Sequence, residues 1–90
     1  MLLQKKKIMN LNRIKTLCNR YVNSKKGYIA EIDNYKEDME RITFDVRILK
    51  SRVFRSSQSM SINLKSELTP ENQLRSQIER FSALVENNRF

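Results

Sequence analysis

The stretch Leu11–Val53, LNRIKTLCNRYVNSKKGYIAEIDNYKEDMERITFDVRILKSRV, carries the longest apolar pattern of this 90-residue chain. Apolar and aromatic side chains recur in it at alternating intervals of three and four residues, and only Lys25 interrupts them. The positions are Leu11, Ile14, Cys18, Tyr21, Lys25, Tyr28, Ile32, Tyr35, Met39, Ile42, Val46, Leu49 and Val53. A 3-4 spacing held over this length is typical of a left-handed coiled-coil seam. It predicts one long helix over about residues 10–54, with Asn10 as its N-cap.

The segment from Asn23 to Gly27 is the weak point of this predicted helix. A glycine in a helix interior costs about 1 kcal/mol relative to alanine. A turn between two helices is therefore the alternative. The apolar spacing continues in phase from Tyr21 to Tyr28, and this favours one continuous helix.

Residues 55–68 lose the 3-4 pattern and contain five serines. Met60, Ile62 and Leu64 alternate with polar residues, which is the pattern of a strand. Because an isolated strand would have no partner in a helical protein, we interpret these residues as an extended linker.

A second helix is predicted over about residues 70–88. Thr69 is a good N-cap, and Pro70 suits the first helical position. The apolar spacing resumes there at Leu74, Ile78, Phe81 and Val85. Folded back antiparallel, this shorter helix would cover only the distal half of the first. The predicted fold is therefore all-α: one domain formed by a long two-helix antiparallel coiled-coil hairpin, with an extended basic N-terminal helix.

The net charge of +8 is concentrated near the N-terminus. The first thirty residues contain no acid, and their cations are Lys5, Lys6, Lys7, Arg13, Lys15, Arg20, Lys25 and Lys26. Such a basic arm has three interpretations: a solvated face, a grip on nucleic acid, or a surface for an acidic protein partner. Tyr21 and Tyr28 occupy seam positions and are expected to pack rather than stack on bases, so the protein partner is the favoured interpretation.

The chain lacks the residues that several classes of function usually require. The chain has no His, no glycine-rich phosphate loop and no CxxC pair, so we expect neither an enzyme nor a bound metal or cofactor. The single Cys18 is expected to be a small core residue in a reducing compartment. No apolar run reaches the roughly 18–20 residues of a membrane span, and this predicts a cytoplasmic protein.

A second docking patch is predicted on the face opposite the seam. Phe44 and Ile48 lie one helical turn apart there, and Arg41 and Arg47 flank them. Glu37, Asp38 and Glu40 are expected to form a solvated acidic face.

Two short motifs carry a family resemblance. The run Leu11-Asn12-Arg13-Ile14-Lys15-Thr16-Leu17, followed by Arg20, resembles the N-terminus of the FliJ/YscO/InvI group. Leu68-Thr69-Pro70-Glu71 is similar to the opening of the second helix in that group. The second helix of this chain is short for the family.

The resemblance implies a non-enzymatic stalk of a type III protein secretion system. Such a stalk inserts into and stimulates the hexameric export ATPase, links it to the export gate, has secretion chaperones as further partners, and lies at the cytoplasmic base of the apparatus. The implied ring-binding residues are Arg13, Lys15, Leu17, Arg20, Val22, Lys26 and Ile29. Two alternatives stay open: a secretion chaperone for an exported helical protein, and a small basic regulator that binds nucleic acid.

Overall fold

The computed structural model describes residues 9–88, which form two α-helices and a three-stranded antiparallel sheet. The elements are helix α1 (Leu11–Tyr21), a short 3-10 turn (Ser24–Lys26), strands β1 (Tyr28–Glu37), β2 (Arg41–Lys50) and β3 (Val53–Asn63), and helix α2 (Pro70–Asn88). The strand order is β1-β2-β3. The fold is α+β, so the predicted all-α coiled-coil hairpin is wrong.

Helix α1 begins where the sequence predicts and ends long before residue 54. The side chain of Asn10 accepts a hydrogen bond from the backbone N–H of Arg13 at 2.9 Å, which is the expected N-cap. The chain leaves the helix at Val22, and Gly27 then adopts a left-handed φ of 89°. Glycine tolerates this conformation because it has no Cβ. The structure therefore has a turn at Asn23–Gly27, and this turn leads from helix α1 into strand β1 rather than into a second helix.

Strand β2 explains why the helical prediction failed. Ile42, Phe44, Val46 and Ile48 are buried, and the residues between them are partly exposed, so the true period is two. An interval of four residues, as from Ile42 to Val46, fits both a strand and a coiled-coil seam. The seam therefore included half of the buried residues of β2 and left out Phe44 and Ile48.

The residues predicted to form a linker are mostly strand β3. Met60 lies opposite Phe44, and Ile62 lies opposite Ile42. The alternation of Met60 and Ile62 with polar residues was a true strand signal. Its partner is β2, which the sequence analysis had placed in a helix.

Helix α2 confirms the predicted second helix. The hydroxyl oxygen of Thr69 accepts a hydrogen bond from the backbone N–H of Asn72 at 3.2 Å. The predicted apolar face is buried, and its members are Leu74, Ile78, Phe81 and Val85. These side chains pack in one core with helix α1 and the sheet.

Both helices pack on one face of the sheet and run in the same direction. Near the N-terminal ends of the two helices, Arg13 forms an ion pair with Glu71. Near their C-terminal ends, Nζ of Lys26, just beyond α1, lies 3.9 Å from Oε1 of Glu86 in α2. Cys18 is fully buried between them, as predicted, and burial raises the pKa of its thiol to about 12. Neither helix within residues 9–88 is long and apolar enough to cross a membrane.

Side-chain amides cover the backbone at both edges of the sheet. The Asn19 amide donates to the carbonyl of Ala30 and accepts from its N–H, at 3.0 and 2.9 Å. Gln73 makes the same pair of bonds with Asn63 on β3, both at 2.8 Å. Gln77 repeats the arrangement at Ser61. These amides satisfy edge groups that would otherwise be open to pairing with another chain.

Candidate nucleic-acid interface

The two ends of the sheet differ in charge. The strands are ten or eleven residues long, so the ends lie about 30 Å apart. One end, here called the basic end, comprises the C-terminus of α1, the 3-10 turn and the β2–β3 turn with its flanking residues. Its cations are Arg20, Lys25, Lys26, Arg47, Lys50, Arg52 and Arg55, and the acids Glu31 and Glu86 lie among them.

A backbone hydrogen bond joins two of the cationic segments of the basic end. The N–H of Ser51, in the β2–β3 turn, donates to the carbonyl of Gly27 at 3.0 Å. This bond holds the turn that carries Lys25 and Lys26 next to the turn that carries Arg52. A Cβ at Gly27 would make a tight contact of 3.2 Å with the Ser51 hydroxyl oxygen, and the φ of 89° also favours glycine at this position.

The acids of the basic end neutralise only part of its charge. Nη1 of Arg47 lies 3.4 Å from Oε1 of Glu31, and Nζ of Lys26 lies 3.9 Å from Oε1 of Glu86. The side chains of both cations are well exposed. Among the described residues, this end therefore holds seven cations and two acids. Exposed ion pairs of this kind contribute at most about 1 kcal/mol, so both cations can exchange partners at little cost.

The β2–β3 turn is built from residues that disfavour its conformation. Ser51 and Arg52 have φ angles of 51° and 70°. Two positive φ angles in a two-residue hairpin loop are typical of a type I′ turn, which prefers Asn-Gly. The left-handed conformation costs an ordinary residue roughly 1–2 kcal/mol. The turn therefore presents an exposed arginine where a glycine would be more stable.

The face of the sheet opposite the helices carries an apolar row at the basic end. Ile29 lies opposite Leu49, and Leu49 lies opposite Phe54, so the row crosses all three strands. Phe54 is 52% exposed and Ile29 is 42% exposed. The guanidinium carbon of Arg47 lies 5.4 Å from the centre of the Phe54 ring, within the range of a cation–π contact.

Among residues 9–88, the opposite end of the sheet, here called the far end, is nearly balanced in charge. Five acids (Glu37, Asp38, Glu40, Glu67 and Glu71) lie there with four cations (Arg13, Lys36, Arg41 and Lys65). The Asp38 carboxylate accepts backbone hydrogen bonds from Glu40 and Arg41 at 2.8 and 2.9 Å. These bonds lower the pKa of Asp38.

The residues predicted to bind an ATPase ring do not share one surface. Leu17 and Val22 are core residues, 1% and 4% exposed, and have almost no surface to offer a partner. The others lie in different places: Arg13 at the far end, Lys15 on the exposed side of α1, Arg20 and Lys26 at the basic end, and Ile29 on the uncovered face of the sheet.

The predicted second docking patch is divided between the two faces of the sheet. Phe44 and Ile48 face the helices and are 2% and 0% exposed. Arg41 and Arg47 point to the uncovered face, six residues and about 20 Å apart along β2. The lysines Lys5, Lys6 and Lys7 of the predicted basic arm lie outside the described residues.

Four residues at or beside the β2–β3 turn were not identified as site residues from the sequence: Lys50, Arg52, Phe54 and Arg55. Their signal in the sequence is the run Lys50-Ser51-Arg52-Val53-Phe54-Arg55, which contains three cations and one aromatic residue within six positions. On a helix this run would have spread around the axis. On a tight hairpin it projects from one end.

Within residues 9–88, no group of three or more acidic, cysteine or histidine side chains is placed so that it could hold a metal ion. The chain matches no protein-family model, no curated protein and no solved structure.

Proposed function

We propose that this protein binds nucleic acid and that the basic end contacts the phosphate backbone. The observation that carries the proposal is the bond between Ser51 and Gly27, which unites cations from two segments far apart in sequence. Together with Arg47, Lys50 and Arg55, they make a concentrated positive surface beside an exposed aromatic ring. A basic surface with an interleaved aromatic residue is the usual footprint of a nucleic-acid binder.

The physical basis of binding is neutralisation of phosphates. Each Lys or Arg that contacts a phosphate releases condensed counterions, so the affinity falls steeply as salt rises. Arg52 can bind a phosphate with two parallel hydrogen bonds, whereas Lys25 and Lys26 act as point charges. Phosphate contacts of this kind position the chain on nucleic acid without reading its sequence.

The hypothesis of an export-ATPase stalk stays a prediction. It was based on two short motifs and on an expected coiled-coil rod, and residues 9–88 form a sheet with two helices instead of that rod. The secretion-chaperone alternative also stays untested, but the apolar faces of α1 and α2 pack on the sheet of the same chain. Neither hypothesis uses the charge difference between the two ends, which favours nucleic acid.

The test compares charge reversal at the two ends. Lys25→Glu/Arg52→Glu changes the basic end, and Lys36→Glu/Lys65→Glu makes the same change in net charge at the far end. Fluorescence anisotropy with a labelled oligonucleotide gives the affinity at several salt concentrations. At about 0.1 M salt, loss of two phosphate contacts lowers affinity by roughly 50-fold and reduces the slope of log K against log salt by about 2. We expect this loss for the basic-end variant and a much smaller one for the far-end variant.

Two outcomes would contradict the proposal. Equal losses in both variants would mean that net charge alone attracts the oligonucleotide. Binding of poly-glutamate with the same affinity and salt slope would favour an acidic protein partner. Circular dichroism of each variant verifies that the fold is retained.

A further inference from the structure

We infer that the basic end binds single-stranded nucleic acid, with one base stacked on Phe54 on the uncovered face of the sheet. This inference rests on the proposed function and names the form of nucleic acid that the site accepts. The supporting features are the exposure of the ring, the position of Arg47 against it, and the apolar row beside it.

Phe54 is presented to solvent by the register of the sheet. It lies opposite Leu49, whose chain neighbour Ile48 is buried against the helices. Leu49 and Phe54 therefore point to the face that neither helix covers. A ring that is half exposed on a structured strand offers a rigid surface for stacking, because its position is already determined by the sheet.

Arg47 supports the ring and supplies charge next to it. Its guanidinium carbon is 5.4 Å from the centre of the ring, and its Nη1 lies 3.4 Å from a carboxylate oxygen of Glu31. The arginine is thus oriented from two sides while 40% of its side chain stays exposed. A base on Phe54 would place the adjoining phosphate within the field of Arg47 and of the neighbouring Arg52.

The apolar row favours an unpaired strand over a duplex. Ile29 and Leu49 extend the surface from Phe54 across about 10 Å, two strand spacings. In a duplex the base faces are stacked on one another, and a protein reaches only the edges of the bases and the backbone. In a single strand the faces are accessible to aromatic side chains. A flat apolar surface bordered by cations complements the single strand in both shape and charge.

The first experiment measures binding of a single strand of about 12 nucleotides, a length typical of such sites, and of the same sequence as a duplex. Phe54→Ala is compared with Leu84→Ala, which truncates an equally exposed apolar residue on α2. Loss of one base–aromatic stack lowers affinity roughly 5- to 150-fold. We expect that loss only for Phe54→Ala, only on the single strand, and with an unchanged salt slope.

A second variant provides a direct signal. The chain contains no Trp, so Phe54→Trp introduces the only indole. Stacking of a base on this indole quenches its fluorescence, and we expect quenching by the single strand, with affinity retained, and not by the duplex.

The outcomes separate the two proposals. If single strand and duplex bind equally, Phe54→Ala changes neither and Phe54→Trp is not quenched, the stacking inference is overturned while phosphate binding stands. If the wild-type protein binds neither form, both proposals fail.

Discussion

The two hairpin turns of the sheet lie at opposite ends and are built differently. At the far end, the β1–β2 turn is closed by the Asp38 carboxylate, which accepts hydrogen bonds from two backbone N–H groups. At the basic end, the β2–β3 turn has Ser51 and Arg52 in left-handed conformations. Among the described residues, the charges are nearly balanced at the far end and mostly positive at the basic end.

This difference separates an end with a structural role from the end that we propose to bind nucleic acid. The turn at the far end uses the residue type that its geometry prefers. The turn at the basic end keeps an unfavourable conformation and an excess of positive charge, both of which lower stability. Backbone strain and like charges that occur together at one surface are common at binding sites, where lower stability accompanies function.

The largest expected effect concerns the structural end. Gln73→Ala/Gln77→Ala removes side-chain hydrogen bonds to Asn63 and Ser61 on the edge of β3. Because four side-chain–backbone hydrogen bonds are lost, each with a net contribution of about 0.5–1.5 kcal/mol, we expect the free energy of unfolding to fall by about 2–4 kcal/mol. Urea denaturation measures this value. The nearby Asn72→Ala is the control, since Asn72 is exposed, and equal effects of the two variants would contradict the role of the amides.

An intermediate effect of opposite sign is expected at the basic end. Ser51→Asn/Arg52→Gly installs the preferred residues of a type I′ turn. We expect the free energy of unfolding to rise by about 1 kcal/mol, while affinity for an oligonucleotide falls roughly eightfold with the loss of one phosphate contact. Ser51→Asn alone keeps the charge, so it should stabilise the protein and leave binding unchanged. A double variant that is more stable and still binds the oligonucleotide with wild-type affinity would contradict a binding role for this turn.

The smallest effect is the response of the far end to acid. Backbone hydrogen bonds lower the pKa of Asp38 in the folded protein below its ordinary value of 3.8. Because the folded state holds this proton less tightly than the unfolded state, the stabilisation is complete above about pH 4 and is lost as pH falls through the lowered pKa. The thermal midpoint of Asp38→Asn should therefore lie below that of the wild type at neutral pH and approach it as pH falls below 3.8.

The control for this prediction is Glu67→Gln, which removes a carboxylate of the same end that accepts no comparable pair of backbone bonds. A difference between Asp38→Asn and wild type that stays constant from pH 7 to pH 2 would contradict the role of the ionised carboxylate.

Local signals in the sequence predicted the helix ends that depend on neighbouring residues. Asn10 as an N-cap and Thr69-Pro70 at the start of α2 were correct, because capping is decided within one turn of the backbone. The end of α1 was missed, although Gly27 was recognised as a weak point. The prediction of one continuous helix gave more weight to the apolar spacing than to this glycine, and it was wrong.

The candidate site was less accessible to sequence reasoning than the fold. Arg20 and Lys26 were predicted to bind an ATPase ring and lie at the basic end, but Leu17, Val22, Phe44 and Ile48 were assigned to surfaces and lie in the core. Arg52 and Phe54 were not identified as site residues. Their juxtaposition with Lys25 depends on the contact between Gly27 and Ser51, which pairs residues 24 positions apart.

The sequence by itself determined the net positive charge, the apolar residues available for a core, and the capped start of each helix. Only the tertiary structure decided whether Ile42 and Val46 belong to a seam or a strand, since a four-residue interval satisfies both periods. That choice depends on cross-strand partners such as Ile62, whose contribution appears only when distant segments meet. The same long-range pairing brings the cations to one end of the sheet, because strand register, rather than local spacing, determines which charges become neighbours.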